Sequence, residues 1–352
     1  MEQINQRRLA NLDLLRTIAI LMVVFYHCVN LANVPQRWVW HIAETGSLGV
    51  DLFFVLSGFL IGSLYWKEKS RFGQVDNWLF IRRRTFRTVP MYLLIMPLAY
   101  LPVYLARSTP FDWKYLFFLQ NYNISMPFYV ISWSLCIEEH FYLLLPFLIP
   151  PVIRLPKPVL FPVIALLLLL PTLLRMSLHS EYVTSEGFGY YFTATHLRYE
   201  GLLVGVIVSY FVTYQPALLK NLIPYRWIIY VFTIVSVLSA SLMSPFMKYS
   251  FSFSIASFAF SLSLCVAYYD QTYQISTHRI NYLIAVSSYC IYLVHSLVIH
   301  IFVQLFNKLS FNFAYGKIPI MFIACLVVGY WVHLLTEKKL LQWRDRYLPA
   351  RK

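Results

Sequence analysis

Apolar runs of about 20 residues, the length that crosses a hydrocarbon core of roughly 30 Å, recur along this chain. They fall at 14–34, 47–66, 88–106, 132–150, 158–175, 196–214, 223–243, 250–269, 281–306 and 318–336. The pattern predicts an all-α polytopic membrane protein with about ten transmembrane helices. An even number of spans puts both termini on one side. The stretch FDWKYLFFLQNY at 111–122 is aromatic but too short and too polar to span, so it is expected to lie flat at the outer interface. The first run follows a basic start and has no small-residue cleavage site behind it, so it reads as a retained span. No repeat, low-complexity tract or appended soluble segment breaks the pattern, and residues 1–352 read as a single membrane domain.

Composition removes the alternatives. Of 352 residues, 59% are hydrophobic and 12% charged, against roughly 25% charged in a soluble domain. The 28 Phe and 27 Tyr suit aromatic belts at the two interfaces. The formal charge of +14 reflects orientation rather than nucleic-acid binding. With both termini cytoplasmic, the inner segments hold 21 of the 29 Lys and Arg residues, seven of them between 67 and 87. The loop 176–195 holds none, which places Ser185 outside. The five cysteines all sit in apolar runs and form no CxxC pair, so neither a disulfide framework nor a metal site is indicated.

An ionisable side chain inside a span costs at least ~2.5–3.5 kcal/mol on insertion scales, which marks it as functional or as one half of a buried pair. The first span carries Asp13, Arg16 and His27. Eleven residues are three helical turns plus about 20°, so Arg16 and His27 share one face, about 16 Å apart along the axis. The bland alternative is that Arg16 pairs with Asp13 and His27 only packs. Arg84 and Arg87, three residues apart in FIRRRTFRTVPMYL, share a face and form a fork for phosphate oxygens, whereas Arg82 and Arg83 fit a topological role. The fourth span carries Glu138, Glu139 and His140. Adjacent carboxylates diverge on a helix, so at most one faces the same cavity as His27. His295 lies at a depth similar to His27, Asp51 opens the second span, and Arg198 and Glu200 open the sixth, where an ion pair between them is the structural reading. His140 and His300 receive no role.

These segments, taken in order, resemble the acyltransferase family 3 membrane proteins, which O-acylate cell-surface polysaccharides. The resemblance rests on RLANLDLLRTIAILMVVFYH at 8–27, GVDLFFVLSGFLIG at 49–62, RRRTFRTVPMYL at 82–93, SWSLCIEEHFYLLLP at 132–146, LRYEGLLVGVIVS at 197–209 and SSYCIYLVHSLVI at 287–299. It implies that the Arg16–His27 pair is central, that Arg84 and Arg87 serve an acyl-CoA donor near the cytoplasmic face, and that Glu138 and Glu139 matter. Asp13, Asp51, Ser57, Arg198, Glu200 and His295 are expected in substrate-binding or supporting roles. Two departures are His140 where the family commonly has Gln and Glu200 where it tends to have Asp. No hydrolase-like domain follows the last span, so the chain resembles the stand-alone form. The resemblance also implies the lipid bilayer of the bacterial inner membrane as location, acetyl-CoA as donor substrate, a glycan as acceptor partner, and no nucleic acid.

On this reading His27 is the general base for a sugar hydroxyl, with Glu138 or Glu139 orienting it. A ping-pong route through acylated His27 stays open. Cys28 points about 100° away on the helix and is not the acyl carrier. A transporter or flippase of a lipid-linked glycan is the competing class, but no paired Gly- or Pro-broken spans mark two inverted halves. A non-catalytic scaffold leaves the buried charges without a purpose.

Overall fold

The computed structural model describes residues 2–32, 36–184, 189–270, 279–311 and 313–349. Ten apolar helices follow the expected order: α1 Glu2–Ala32, α2 Gly49–Phe72, α3 Asn77–Arg107, α4 Trp133–Ile153, α5 Lys157–Ser177, α6 Glu200–Tyr214, α7 Arg226–Ser239, α8 Pro245–Tyr269, α9 Arg279–Lys308 and α10 Ala314–Val332. A π-helical turn, His333–Glu337, joins α10 to the amphipathic α11, Lys338–Tyr347. No strand occurs among the described residues. The chain is an all-α polytopic membrane protein.

Nine helical stretches among the described residues are long and apolar enough to cross a membrane. The sixth expected span is the exception, because α6 has only 15 residues and at 1.5 Å per residue rises about 22 Å. It is held between other helices rather than against lipid. Its partner α2 meets it through small residues. A Cβ on Gly58 would stand 2.0 Å from the Leu202 carbonyl oxygen, and one on Gly205 would stand 2.2 Å from that of Val55. Backbones this close are the signature of small-residue packing in membranes.

Two apolar clusters form the core. One draws chiefly on α1, α2, α3, α4, α9 and α10, the other on α1, α2, α7 and α8, so α1 and α2 contribute to both, with α6 packed alongside. Polar ties fix the N-terminal half of α1. The Asn11 amide donates to the carbonyls of Ala267 (2.8 Å) and Asp270 (2.7 Å), and the Thr17 hydroxyl donates to that of Asn281 (3.2 Å).

The segment 111–122 departs from expectation. It is not a flat interfacial element but a series of 3-10 turns, Trp113–Phe117 and Gln120–Tyr122, that dips into the bundle ahead of a third turn, Val130–Ser132. Trp113 and Phe117 are exposed, as an interface requires, yet Tyr115, Gln120 and Asn121 are fully buried. The reason is hydrogen bonding. Gln120 Nε2 donates to the Tyr92 (3.1 Å) and Ser132 (3.0 Å) hydroxyls, and Asn121 Nδ2 to the Thr193 carbonyl (3.1 Å) and Thr195 hydroxyl (2.9 Å). The Tyr115 hydroxyl donates to the Phe128 carbonyl at 2.5 Å, and burial pushes its ionisation up. Two side-chain amides with internal partners outweigh the pull of the ring-rich face toward the interface.

Candidate active site

Arg16 of α1, Ser57 of α2, Arg84 and Arg87 of α3, Glu138 of α4 and Tyr292 of α9 converge on one cavity of about 100 Å³. Helix geometry explains the convergence. Arg84 and Arg87 sit one turn apart on α3, whose start is fixed by the Asp76 carboxylate accepting from the Leu79 amide at 2.9 Å. The Arg84 guanidinium lies over the Tyr142 ring, 4.3 Å from its centre, and donates to the Tyr142 hydroxyl (2.6 Å) and the Ser57 hydroxyl (3.4 Å). Tyr142 in turn donates to Glu138 at 2.6 Å and is hydrogen-bonded to Ser57. Arg16 pairs with Asp13 at 2.7 Å, the contact foreseen as its bland role, and lines the cavity as well. Arg87 has neither hydrogen bond nor ion pair among the described residues. The walls therefore carry more guanidinium than carboxylate, and one guanidinium, that of Arg87, has only the more distant Glu337 carboxylate as a charge partner.

The carboxylates do not orient His27. Glu138 serves Tyr142, and Glu139 is bound by the Thr88 hydroxyl. His27 is held instead by its own helix and by another histidine. Its Nδ1 lies 2.9 Å from the Val23 carbonyl oxygen. A carbonyl only accepts, so Nδ1 carries the proton and Nε2 presents the lone pair. The ring packs edge-on against His295, centroids 4.9 Å apart. His295 is fully buried and has the same tautomer, with Nδ1 donating to the Tyr292 carbonyl at 2.6 Å. Its Nε2 has no hydrogen-bond partner among the described residues. Tyr292, whose ring centre is 5.5 Å from that of His295, also lines the cavity, so ring contacts run from the cavity wall through His295 to His27.

The remaining charges form a separate cluster, and here the expected pairing is corrected. Arg198 does not pair with Glu200. It reaches Asp51 at 3.1 Å, while Glu200 is bound by Arg175 at 2.7 Å. Both guanidiniums are buried. Arg198 lies against Phe253, Phe192 and Trp133, at 3.6, 4.7 and 4.9 Å from the ring centres. Arg175 donates further to the Ser254 hydroxyl (2.8 Å) and to the backbone of Ser250 and Leu197. Two residues apart at the mouth of a short helix, Arg198 and Glu200 point to different neighbours, and α2 and α5 supply the counter-charges.

Sequence reasoning passed over Arg175 and the tyrosines. Arg175 is a lone charge in PTLLRMS at the end of the fifth apolar run, and an unpaired arginine there signals a partner elsewhere. Tyr142 follows Glu138 by four residues, the spacing of side chains that meet on a helix. Cys290 was read only as apolar. Its Sγ stands 3.1 Å from Glu337 Oε2, which also lies 2.6 Å from His333 Nδ1.

The sequence from 9 to 336 matches the profile of the acyltransferase 3 family, described as an acyltransferase domain. The chain belongs to that family. Among its relatives is O-acetyltransferase OatA of Staphylococcus aureus strain NCTC 8325 / PS 47, 29% identical over 238 residues, which cover 61% of this chain and 36% of OatA. Another Staphylococcus aureus protein, of strain COL and also named as an O-acetyltransferase, is 31% identical over 157 residues, or 40% of this chain and 24% of the relative. The chain thus spans little more than a third of the length of the OatA it matches. No solved structure matches it at a significant level. Family membership and the bundle agree on a multi-pass membrane acyltransferase fold.

Proposed function

We propose that this chain is a membrane-embedded O-acetyltransferase that moves an acetyl group from cytoplasmic acetyl-CoA to a hydroxyl of a cell-surface or lipid-linked glycan. The observation that carries the reading is the arginine-lined cavity, with Arg16 and His27 on one unbroken helix. Three guanidiniums suit a phosphorylated donor. At about 100 Å³ the cavity is well below the ~300–1,000 Å³ of a whole-ligand pocket. That shape fits a thin pantetheine arm threading inward while the CoA phosphates stay at the inner face. OatA's name and the family support acetyl as the group, and they weigh against the carrier reading.

The chemistry follows from the tautomer of His27. Its Nε2 takes the proton of the acceptor hydroxyl as the oxygen attacks the thioester carbonyl. The carbon–sulfur bond then breaks, and the imidazolium returns the proton to the leaving thiolate. His295, rather than a carboxylate, is the neighbour that holds the His27 ring in place.

Replacing His27 with Ala is expected to abolish transfer while the protein accumulates normally, read as the loss of acetylated glycan by mass analysis of the surface polysaccharide. Near wild-type acetylation in that variant removes His27 from the mechanism. Orientation has its own test. A cysteine replacing Gln74, beside the arginines, is expected to be shielded from an impermeant thiol reagent in intact cells, and labelling there would invert the donor scheme. Ser185, expected on the opposite side, lies outside the described residues.

A further inference from the structure

A third cluster lies behind the cavity. Cys290 of α9 and His333 and Glu337 of the π-helical turn bring one sulfur, one imidazole nitrogen and one carboxylate oxygen within 4.8 Å of one another. Cys290 is fully buried, and the His333 and Glu337 side chains are 12% and 3% exposed. His333 and Glu337, four residues apart, share one face toward Cys290, and π turns such as the one they bound are frequent at functional sites.

The donor set points to a transition metal. Thiolate, imidazole and carboxylate are together the ligands of zinc, and three protein ligands leave its fourth tetrahedral position for water. Charge argues the same way. A divalent ion with one thiolate, one carboxylate and a neutral imidazole is neutral overall, which suits burial, and it would leave Arg87 as a net charge nearby. The two pairs that share Glu337 Oε2 stand at 3.1 and 2.6 Å and need only a small expansion to accept an ion at about 2.0–2.3 Å from each ligand. We propose that Cys290, His333 and Glu337 bind one zinc-type divalent ion that clamps α9 to the end of α10. This site is separate from the acyl-transfer reading and stands whether or not that reading holds. Its position matters all the same: Ser288 and Tyr289, just before Cys290, line the cavity.

The test uses the full chain purified in detergent through a tag without histidine, equilibrated with excess zinc and desalted. Elemental analysis should give about one zinc per chain, and cobalt substituted for zinc should show a sulfur-to-cobalt charge-transfer band with tetrahedral ligand-field absorption. Cys290→Ser should lose the band, and His333→Gln should weaken cobalt binding by about tenfold or more. Zinc should raise the thermal midpoint of the wild type but not of Glu337→Gln, a variant that keeps the side-chain volume. If Cys290→Ser does not fold, the other two variants carry the same comparison. Substoichiometric zinc with no charge-transfer band in the wild type, or an unchanged band in folded Cys290→Ser, overturns the proposal and leaves a hydrogen-bonded triad that closes the turn.

Discussion

Two groups of buried arginines in this bundle obey opposite rules. In one, Arg175 and Arg198 face Glu200 and Asp51, charge for charge, with backbone carbonyls around Arg175 and aromatic rings around Arg198. In the cavity, Arg16 has Asp13, Arg84 reaches Glu138 through hydroxyls, that of Tyr142 with Ser57 beside it, and Arg87 has no hydrogen-bonded partner among the described residues. A guanidinium costs several kcal/mol to desolvate. A group with every charge answered stabilises a fold, and one with a surplus has binding capacity left for an anion. The contrast separates scaffold from site better than burial does.

The sharpest way to break the comparison is to remove Arg175. Its loss strands a buried Glu200 and should cost about 3–5 kcal/mol, enough to prevent accumulation of the protein, as read by size-exclusion profile and thermal midpoint in detergent. Replacing Asp51 and Arg198 together with Leu should recover much of the accumulation that either single change forfeits, because no unpaired charge remains. A well-folded Arg175→Ala protein that lacks only transfer would move this cluster from scaffold to site.

The cavity should behave in the opposite way. Arg84→Lys with Arg87→Lys keeps the charges and the fold but gives up bidentate contacts to phosphate. The donor KM is expected to rise about 10- to 100-fold, equivalent to ~1.4–2.8 kcal/mol, with a smaller change in kcat and an unaltered thermal midpoint. Titration of acetyl-CoA in proteoliposomes measures both. A double-lysine protein with unchanged KM, or one that fails to fold, would erase the distinction between the two regions.

How much of this was readable in the chain follows from what local spacing can report. Helix positions were legible because a membrane imposes one length and one polarity on its spans, the short α6 excepted, and Arg84 with Arg87 share a wall because they lie one turn apart. Partners were not legible. Arg198 lies two residues from Glu200 but finds Asp51 on α2, and His27 finds His295 on α9 instead of the adjacent carboxylates of α4. Such pairings depend on how helices rotate against one another, which is set by contacts such as Gly58 against Leu202. The 111–122 segment misled for a related reason. Its rings report an interface, while the partners of Gln120 and Asn121 lie in distant segments.

The finest probe of the comparison is Tyr142→Phe. This hydroxyl bridges the cavity's opposite charges and so brings it nearest to the closed state of the Arg175–Arg198 cluster, since it accepts from Arg84 at 2.6 Å and donates to Glu138 at 2.6 Å. Removing one oxygen leaves the ring under the guanidinium and should cost the protein little stability. Arg84 then loses its orienting acceptor and keeps only the weak contact to Ser57. A hydrogen bond to a charged group contributes about 1.5–3 kcal/mol at most, and Arg84 regains part of that from a bound phosphate. The donor KM should therefore rise only about threefold to tenfold, less than for the double lysine change. Combining Tyr142→Phe with Arg84→Lys should give less than the sum of the two effects, because both act through one guanidinium. Strict additivity in that cycle would mean that Tyr142 reaches the reaction through Glu138 alone, and the hydroxyl would belong to the acid–base machinery instead of the donor site.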